Sequence, residues 1–360
     1  MHSIALLAAL AALSGWTVYA LPVSADGLNV TEQIALVPVN RGTTNPSSPS
    51  GQVIALAGGG NPNSPPPPTN SPNLIAGLQH INFLENLESN FFEIGIANLT
   101  KWGVDQSYIN TVAKVAAQEL IHVATAETLL GHFNQPTIPA CAYDFPVTTA
   151  DEFFALADKI TSVGIGALNS LTAQLATSDP AFVGSLASVI TVEARHDAFF
   201  RITQDELPNP CPFDTQISGG WALNLANQFI VPGSCPDFPD FTILPPMTTS
   251  QINGASPDQV HISTADAVSV NSPSARPQTI EFTFPTSVNT GGQLFVGWIN
   301  QADVPVFTDA QLTSAGTVTT SVPPQLEGLA FAALVNNKNA QNVDDLTSNT
   351  LAGPAIVPVS

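Results

Sequence analysis

Two distant segments of this chain repeat one spacing of an acid and an imidazole: Gln118-Glu119-Leu120-Ile121-His122 and Val192-Glu193-Ala194-Arg195-His196. On a helix, residues three apart share a face, so each segment can aim a carboxylate and an imidazole at one point. Their neighbours say which face. Val112, Val115, Ala126, Leu129 and Phe133 continue the spacing of Glu119 and His122, and Phe182, Leu186, Val189, Phe200 and Thr203 continue that of Glu193 and His196. Both pairs therefore stand where a bundled helix turns apolar residues inward. A charge in such a place costs roughly several kcal/mol unless it is paired or binds a metal. The pattern predicts helices packed around a shared polar centre. Such a centre can hold two metal ions, with the glutamates bridging and the histidines terminal.

The rest of the chain supplies the partner helices. A Ser71 cap followed by Pro72 opens a helix over 72–98, whose inward seam includes Glu85, Glu88 and Phe92. A short turn at 101–103 leads to a second helix over 105–133, so these two are antiparallel neighbours. The link over 134–150, with Pro136, Pro139 and Pro146, is long enough to cross the bundle. The third helix covers 151–176, and its Gly164 and Gly166 imply close approach. A fourth covers 180–206 and a fifth, shorter one 215–229. Beyond Pro232 the helical period vanishes, and 279–284, 293–298, 317–322 and 330–335 read as strands between turn residues. The expected fold class is mainly α with a β C-terminal domain: a four-helix bundle with a fifth short helix over 72–235, then a small antiparallel domain of sandwich type over 250–360.

An apolar run over 4–13 followed by Val18-Tyr19-Ala20 reads as a signal peptide spanning 1–20, which implies secretion. Residues 21–71 read as an arm, with a short strand over 33–39, and a linker rich in Pro, Gly and Ser. The stretch 42–73 is expected to be irregular rather than packed, with Gly58-Gly59-Gly60 as flexible chain. Three cysteines suit an oxidising compartment; one bridge with one spare thiol is the simplest count. Cys211 and Cys235 flank the short fifth helix and are the expected pair, leaving Cys141 spare. Asn29 and Asn98 head glycosylation sequons. Asp258 and His261 repeat the acid–imidazole spacing, but in a loop-like region after Pro257. The formal charge of −20, with eight basic residues, argues against nucleic acid or an anionic membrane as partner.

With Glu85 ahead of the two Glu-x-x-His helices, residues 72–231 resemble the ferritin-like superfamily. More narrowly they look like the secreted ferritin-like-domain proteins found among fungal late-sexual-development and stress-response proteins and plant desiccation-related proteins. Further residues that carry the likeness are Asn82 through Phe92, Ser162 through Ala167, and Phe229-Ile230-Val231-Pro232-Gly233-Ser234-Cys235-Pro236. The resemblance implies a carboxylate-bridged pair of iron or manganese ions. Glu85 would be a terminal ligand, Glu119 and Glu193 the bridges, His122 and His196 the terminal imidazoles. The glutamate that the pattern places on the third helix falls at Thr161, so the second ion should be held weakly or not at all. Glu88 could add charge to the first ion rather than the second. Phe92 stands where a tyrosine is common near such centres. Glu127 and Asp197 are expected to support the site or face solvent. Two readings stay open. One is a secreted metalloprotein, of oxidoreductase type if it turns over. The other is a non-enzymatic extracellular structural or adhesive protein whose centre is a metal-free polar network. Either would serve development, the cell wall or stress tolerance. An iron-storage cage is not expected, because the arm and the β domain would obstruct packing of the bundles. No hydrolase constellation is visible.

Overall fold

The computed structural model describes residues 49–235, 241–255 and 278–359. The leader-like run, the strand expected over 33–39, Asn29, Asp258 and His261 lie outside the described residues. The first helix, α1 (Gly51–Ala57), is capped by Ser50 and ended by Gly58 in the left-handed conformation. It corrects the expectation of an irregular linker. Val53 and Ala57 bury against Ala117 and Ile121. The short Gly-rich run thus serves as a helix stop rather than as free chain.

The bundle consists of α2 (Pro72–Lys101), α3 (Gln106–His132), α4 (Ala150–Ser178) and α5 (Val183–Thr203). Local chemistry sets their starts. Ser71 caps α2 ahead of Pro72, Asp105 caps α3, and Thr149 with Glu152 forms a capping box on α4. The α5 start has no side-chain cap and follows a 3₁₀ turn at Pro180–Phe182. Asp179, at the end of α4, accepts from both the amide and the hydroxyl of Ser71, tying that end to the start of α2. Two glycines bring α2 and α4 together: a Cβ on Gly77 would lie 2.6 Å from Leu171, and one on Gly95 2.2 Å from Phe153.

After α6 (Gly219–Asn227) come strands β1 (Thr248–Ile252), β2 (Thr279–Thr283), β3 (Leu294–Asn300), β4 (Val306–Ser314), β5 (Thr317–Ser321) and β6 (Leu329–Val335), then α7 (Val343–Ser348) and β7 (Ala352–Pro358). The expected β domain is present, its strands joined in one antiparallel seven-stranded sheet ordered β1-β2-β5-β4-β3-β6-β7. Strands β3 and β6 are buried on both faces. One face adds Val296, Trp298, Ala332 and Leu334 to the sheet's own core. The other packs Phe295, Ile299, Phe331 and Ala333 against Trp221 and Ala222 of α6 and Leu346 of α7. The bundle and the sheet therefore share a core. Thr215 stitches them further, donating to the Leu329 carbonyl at 2.5 Å and accepting from the Gln301 amide at 2.8 Å.

The disulfide joins Cys141 to Cys235, and Cys211 is the free thiol. This corrects the expected Cys211–Cys235 pair. The α3–α4 link runs beside the segment after α6, with Tyr143 bridging Ile230 and the Val231 amide donating to Ala142. That pairing sets Cys141 opposite Cys235, while Cys211 sits against Gly328 under the sheet.

Candidate metal centre

The bundle core is layered. At one end Phe91, Phe92, Phe153 and Phe200 pack together with Val112 and Ala116. At the other, Leu74, Leu130, Leu175 and Leu186 close the bundle. Between them lies a polar layer. It takes Glu85 and Glu88 from α2, Glu119 and His122 from α3, Thr161 from α4, and Glu193 and His196 from α5. Glu119 is fully buried and Glu193 is 3% exposed.

All five expected ligands converge here. Ligand atoms of Glu85, Glu119, His122 and Glu193 lie within 4.8 Å of one another. His122 Nδ1 is 2.9 Å from Glu119 Oε2, 3.1 Å from Glu193 Oε1 and 3.4 Å from Glu85 Oε2. His196 stands across the two glutamates, its Nδ1 3.0 Å from Glu119 Oε1 and 3.3 Å from Glu193 Oε2. Each of these two glutamates therefore shows one oxygen to each imidazole. His196 Nε2 lies 2.7 Å from Gln118 Oε1, which fixes the ring so that Nδ1 faces the centre.

The protein groups of this layer strain one another electrostatically. Burial pushes the Glu85 carboxyl up to about 8, against the pull of His122. Burial, then the charges of Glu193, Glu119 and Glu85, push Glu88 well above the usual carboxylate range. Glu119 suffers the same burial, but His196 and His122 hold it below its ordinary value. Burial would lower His196, yet Glu119 and Glu193 outweigh it and raise it to about 10. His122 is raised in the same way by Glu85, Glu119 and Glu193. Even so, Glu88 Oε2 is buried without a hydrogen bond, and Glu85 Oε2, Glu119 Oε1 and Glu193 Oε1 meet only imidazole nitrogens that other carboxylates share. One ring nitrogen can carry one proton and cannot satisfy three surrounding oxygens. A divalent cation with oxygen and imidazole ligands fits this donor set.

Residues 76–206 match the family model of the ferritin-like domain. That span covers most of α2 and all of α3, α4 and α5, and it contains every residue of the polar layer. Comparison with curated proteins returns no match.

Within the ferritin-like segment, the departures foreseen in the sequence sit at the centre itself. Thr161 is fully buried, and its hydroxyl has no partner. Phe92 stacks on Phe200 at 5.3 Å, so this flank of the site is hydrocarbon. Asp197 is not a solvent-facing group. It accepts from Ser162 and is raised by burial and by Asp158, while Arg201 spans Asp158 and Glu206. Glu127 is half-buried and raised by burial. The Asn98 sequon occupies the last turn of α2. Sequence reasoning missed Gln118. Its place just before Glu119 was a signal, since a polar residue there can reach the facing imidazole. It also missed a cavity of about 240 Å³ between α2, α4 and α6, lined in part by Glu85, Glu88, Glu193, Gly164 and His80. Among the described residues, no helix is long and apolar enough to cross a membrane.

Proposed function

We propose that the ferritin-like segment is a binding centre for iron or manganese. Glu119, Glu193, Glu85, His122 and His196 would hold the metal. The observation that carries this reading is the double presentation of Glu119 and Glu193, each with one oxygen toward His122 and the other toward His196. Bound iron or manganese would supply one-electron redox chemistry in this position. The chain's own part is to order the ligands before binding. Gln118 holds His196, the phenylalanine layer keeps water from one side, and the cavity beside Gly164 opens the other.

The wider role we propose follows the resemblance to secreted fungal and plant ferritin-like proteins. It is an exported protein of the cell wall or surrounding matrix, acting in development or stress tolerance. The leader-like sequence and the Cys141–Cys235 bridge support an oxidising compartment outside the cytosol. The strongly acidic chain supports partners that are neither nucleic acid nor anionic lipid. A second reading, a metal-free network in a structural or adhesive protein, draws on the close pairing of His196 with Glu119.

Metal analysis separates the two. The full chain is stripped with chelator, offered Fe(II) or Mn(II) in excess, desalted and assayed for bound metal and for Tm. The metalloprotein reading expects retained metal and a raised Tm, both lost in Glu119→Ala. No retained metal and an unmoved Tm in the unsubstituted protein would leave the network reading.

A further inference from the structure

Helix α4 brings no carboxylate to the polar layer, and a glutamate of α2 lies against the same helix one turn along. Thr161 and Gly164 are three residues apart and share the inward face of α4. Against Gly164 lies the side chain of Glu88, from the turn of α2 that follows Glu85. Its Oε1 is 2.9 Å from where a Cβ on Gly164 would stand. A Cβ at 164 would push this carboxylate aside, so the glycine lets it lie directly against α4. Glu88 is 5% exposed, and its Oε2 has no hydrogen-bond partner. It also borders the cavity that reaches Glu85 and Glu193, which gives a hydrated ion a way in.

From this arrangement, and resting on the metal reading above, we infer that Glu88 supplies from α2 the carboxylate that α4 lacks, completing a centre for two divalent ions. Charge balance favours the same assignment. Glu85, Glu88, Glu119 and Glu193 carry four negative charges when ionised, which two divalent ions neutralise with both imidazoles neutral. Without Glu88, two ions would leave a buried positive charge uncompensated, a costly state in a dry core. Glu88 is thus a ligand on the α4 side of the centre, not extra charge beside the first ion. Thr161 is tolerated because the carboxylate arrives from the neighbouring helix.

The test is stoichiometry, read by calorimetric titration with Mn(II) alone and by metal analysis after desalting, on the full chain stripped of metal. The unsubstituted protein should hold two ions. Glu88→Ala should hold one, and Glu88→Gln, which keeps the shape of the side chain, should behave alike. Adding Thr161→Glu to Glu88→Ala should restore the second ion, since it returns a carboxylate to that face of α4. Equal stoichiometry in the unsubstituted protein and both single variants, whether one ion or two, would overturn the inference while leaving the bundle a metal site. A double variant that stays at one ion would overturn it as well. No ion in the unsubstituted protein would instead remove the metal reading on which the inference rests.

Discussion

The two cores of this molecule differ in the polar groups they bury: among the described residues, the sheet leaves the single hydroxyl of Thr249 unmet, whereas the bundle crowds carboxylates together. In the sheet, Asn300 and Thr320 are buried but satisfied: Asn300 donates to the Glu327 and Leu329 carbonyls, and Thr320 to the Asp309 carbonyl. The hydrocarbon around them is continuous, from Phe282 and Val318 through Val296 and Trp298 to Leu334. In the bundle, the middle layer gathers four buried glutamates around two imidazoles that cannot serve them all, and leaves Glu88 Oε2 with no partner, between two hydrocarbon layers. A chain able to build the first kind of core has no need of the second for folding. On the proposed metal reading, the bundle's centre is kept for an ion at a cost in stability, and the core shared with α6 helps to offset that cost.

The largest effect should come from damaging the satisfied core. Phe282 is fully buried among the sheet's inner side chains. Phe282→Ala should cost about 3–5 kcal/mol, by lost burial and the cavity left behind. Thermal unfolding with and without Mn(II) should give the same loss. A loss that changes with metal would mean that Phe282 also supports the polar layer of the bundle, and the comparison would fail.

The fold was largely legible before the structure, and the reason differs by region. The bundle helices carry strong signals, such as Ser71-Pro72 and the Thr149…Glu152 capping box, and their seams have one period over six or more turns. The polar layer was legible because charges at seam positions have few structural explanations. Strands β3 and β6 were read correctly as apolar runs. Strand β4 was missed because it is largely exposed and polar, through Thr308, Asp309 and Gln311, and carries no clear alternation. Helix α1 was missed because seven residues beside a Gly run form a helix only when α3 offers Ala117 and Ile121 to cover. The disulfide partner was not legible either. Flanking a short helix says nothing about which distant chain runs alongside, and the Tyr143–Ile230 bridge is a tertiary fact. Glu88 was visible on the seam, but its approach to Gly164 depends on the packing of α2 against α4.

A smaller change, of opposite sign, should follow in the unsatisfied core. Without metal, Glu88 is a buried acid with an oxygen that nothing satisfies. Glu88→Leu replaces it with a side chain of similar size and no polar atom. The metal-free protein should gain about 1–3 kcal/mol, the usual cost of an unmet buried polar group. The gain should be read as a raised Tm in the presence of chelator. A lowered Tm would mean that Glu88 stabilises the fold rather than waiting for a ligand, and would erase the contrast with Phe282.

The gentlest probe of the same contrast is pH, applied to the metal-free protein. The groups that meet in the layer are Glu85 and Glu88 from α2, Glu119 and His122 from α3, and Glu193 and His196 from α5; α4 brings only Thr161. Glu85 titrates near 8 when folded and near 4.5 when unfolded, so between those values the unfolded chain gives up a proton that the folded protein keeps, and stability falls as pH rises. His196, raised to about 10, contributes stability that is complete below 6.5 and is lost as pH climbs through 10. Glu119 runs the other way: held below its ordinary value, it stabilises above about pH 4.5 and loses that effect as pH falls further. The sum places the metal-free optimum on the acid side of neutrality, with Tm declining steadily from about pH 5 to 9. Metal uptake must remove protons from these same side chains, so the Tm gain on adding Mn(II) should widen over that interval. A metal-free Tm that stays flat from pH 5 to 9 would mean that water reaches the layer and relieves its charges, making the bundle's centre as untroubled as that of the sheet.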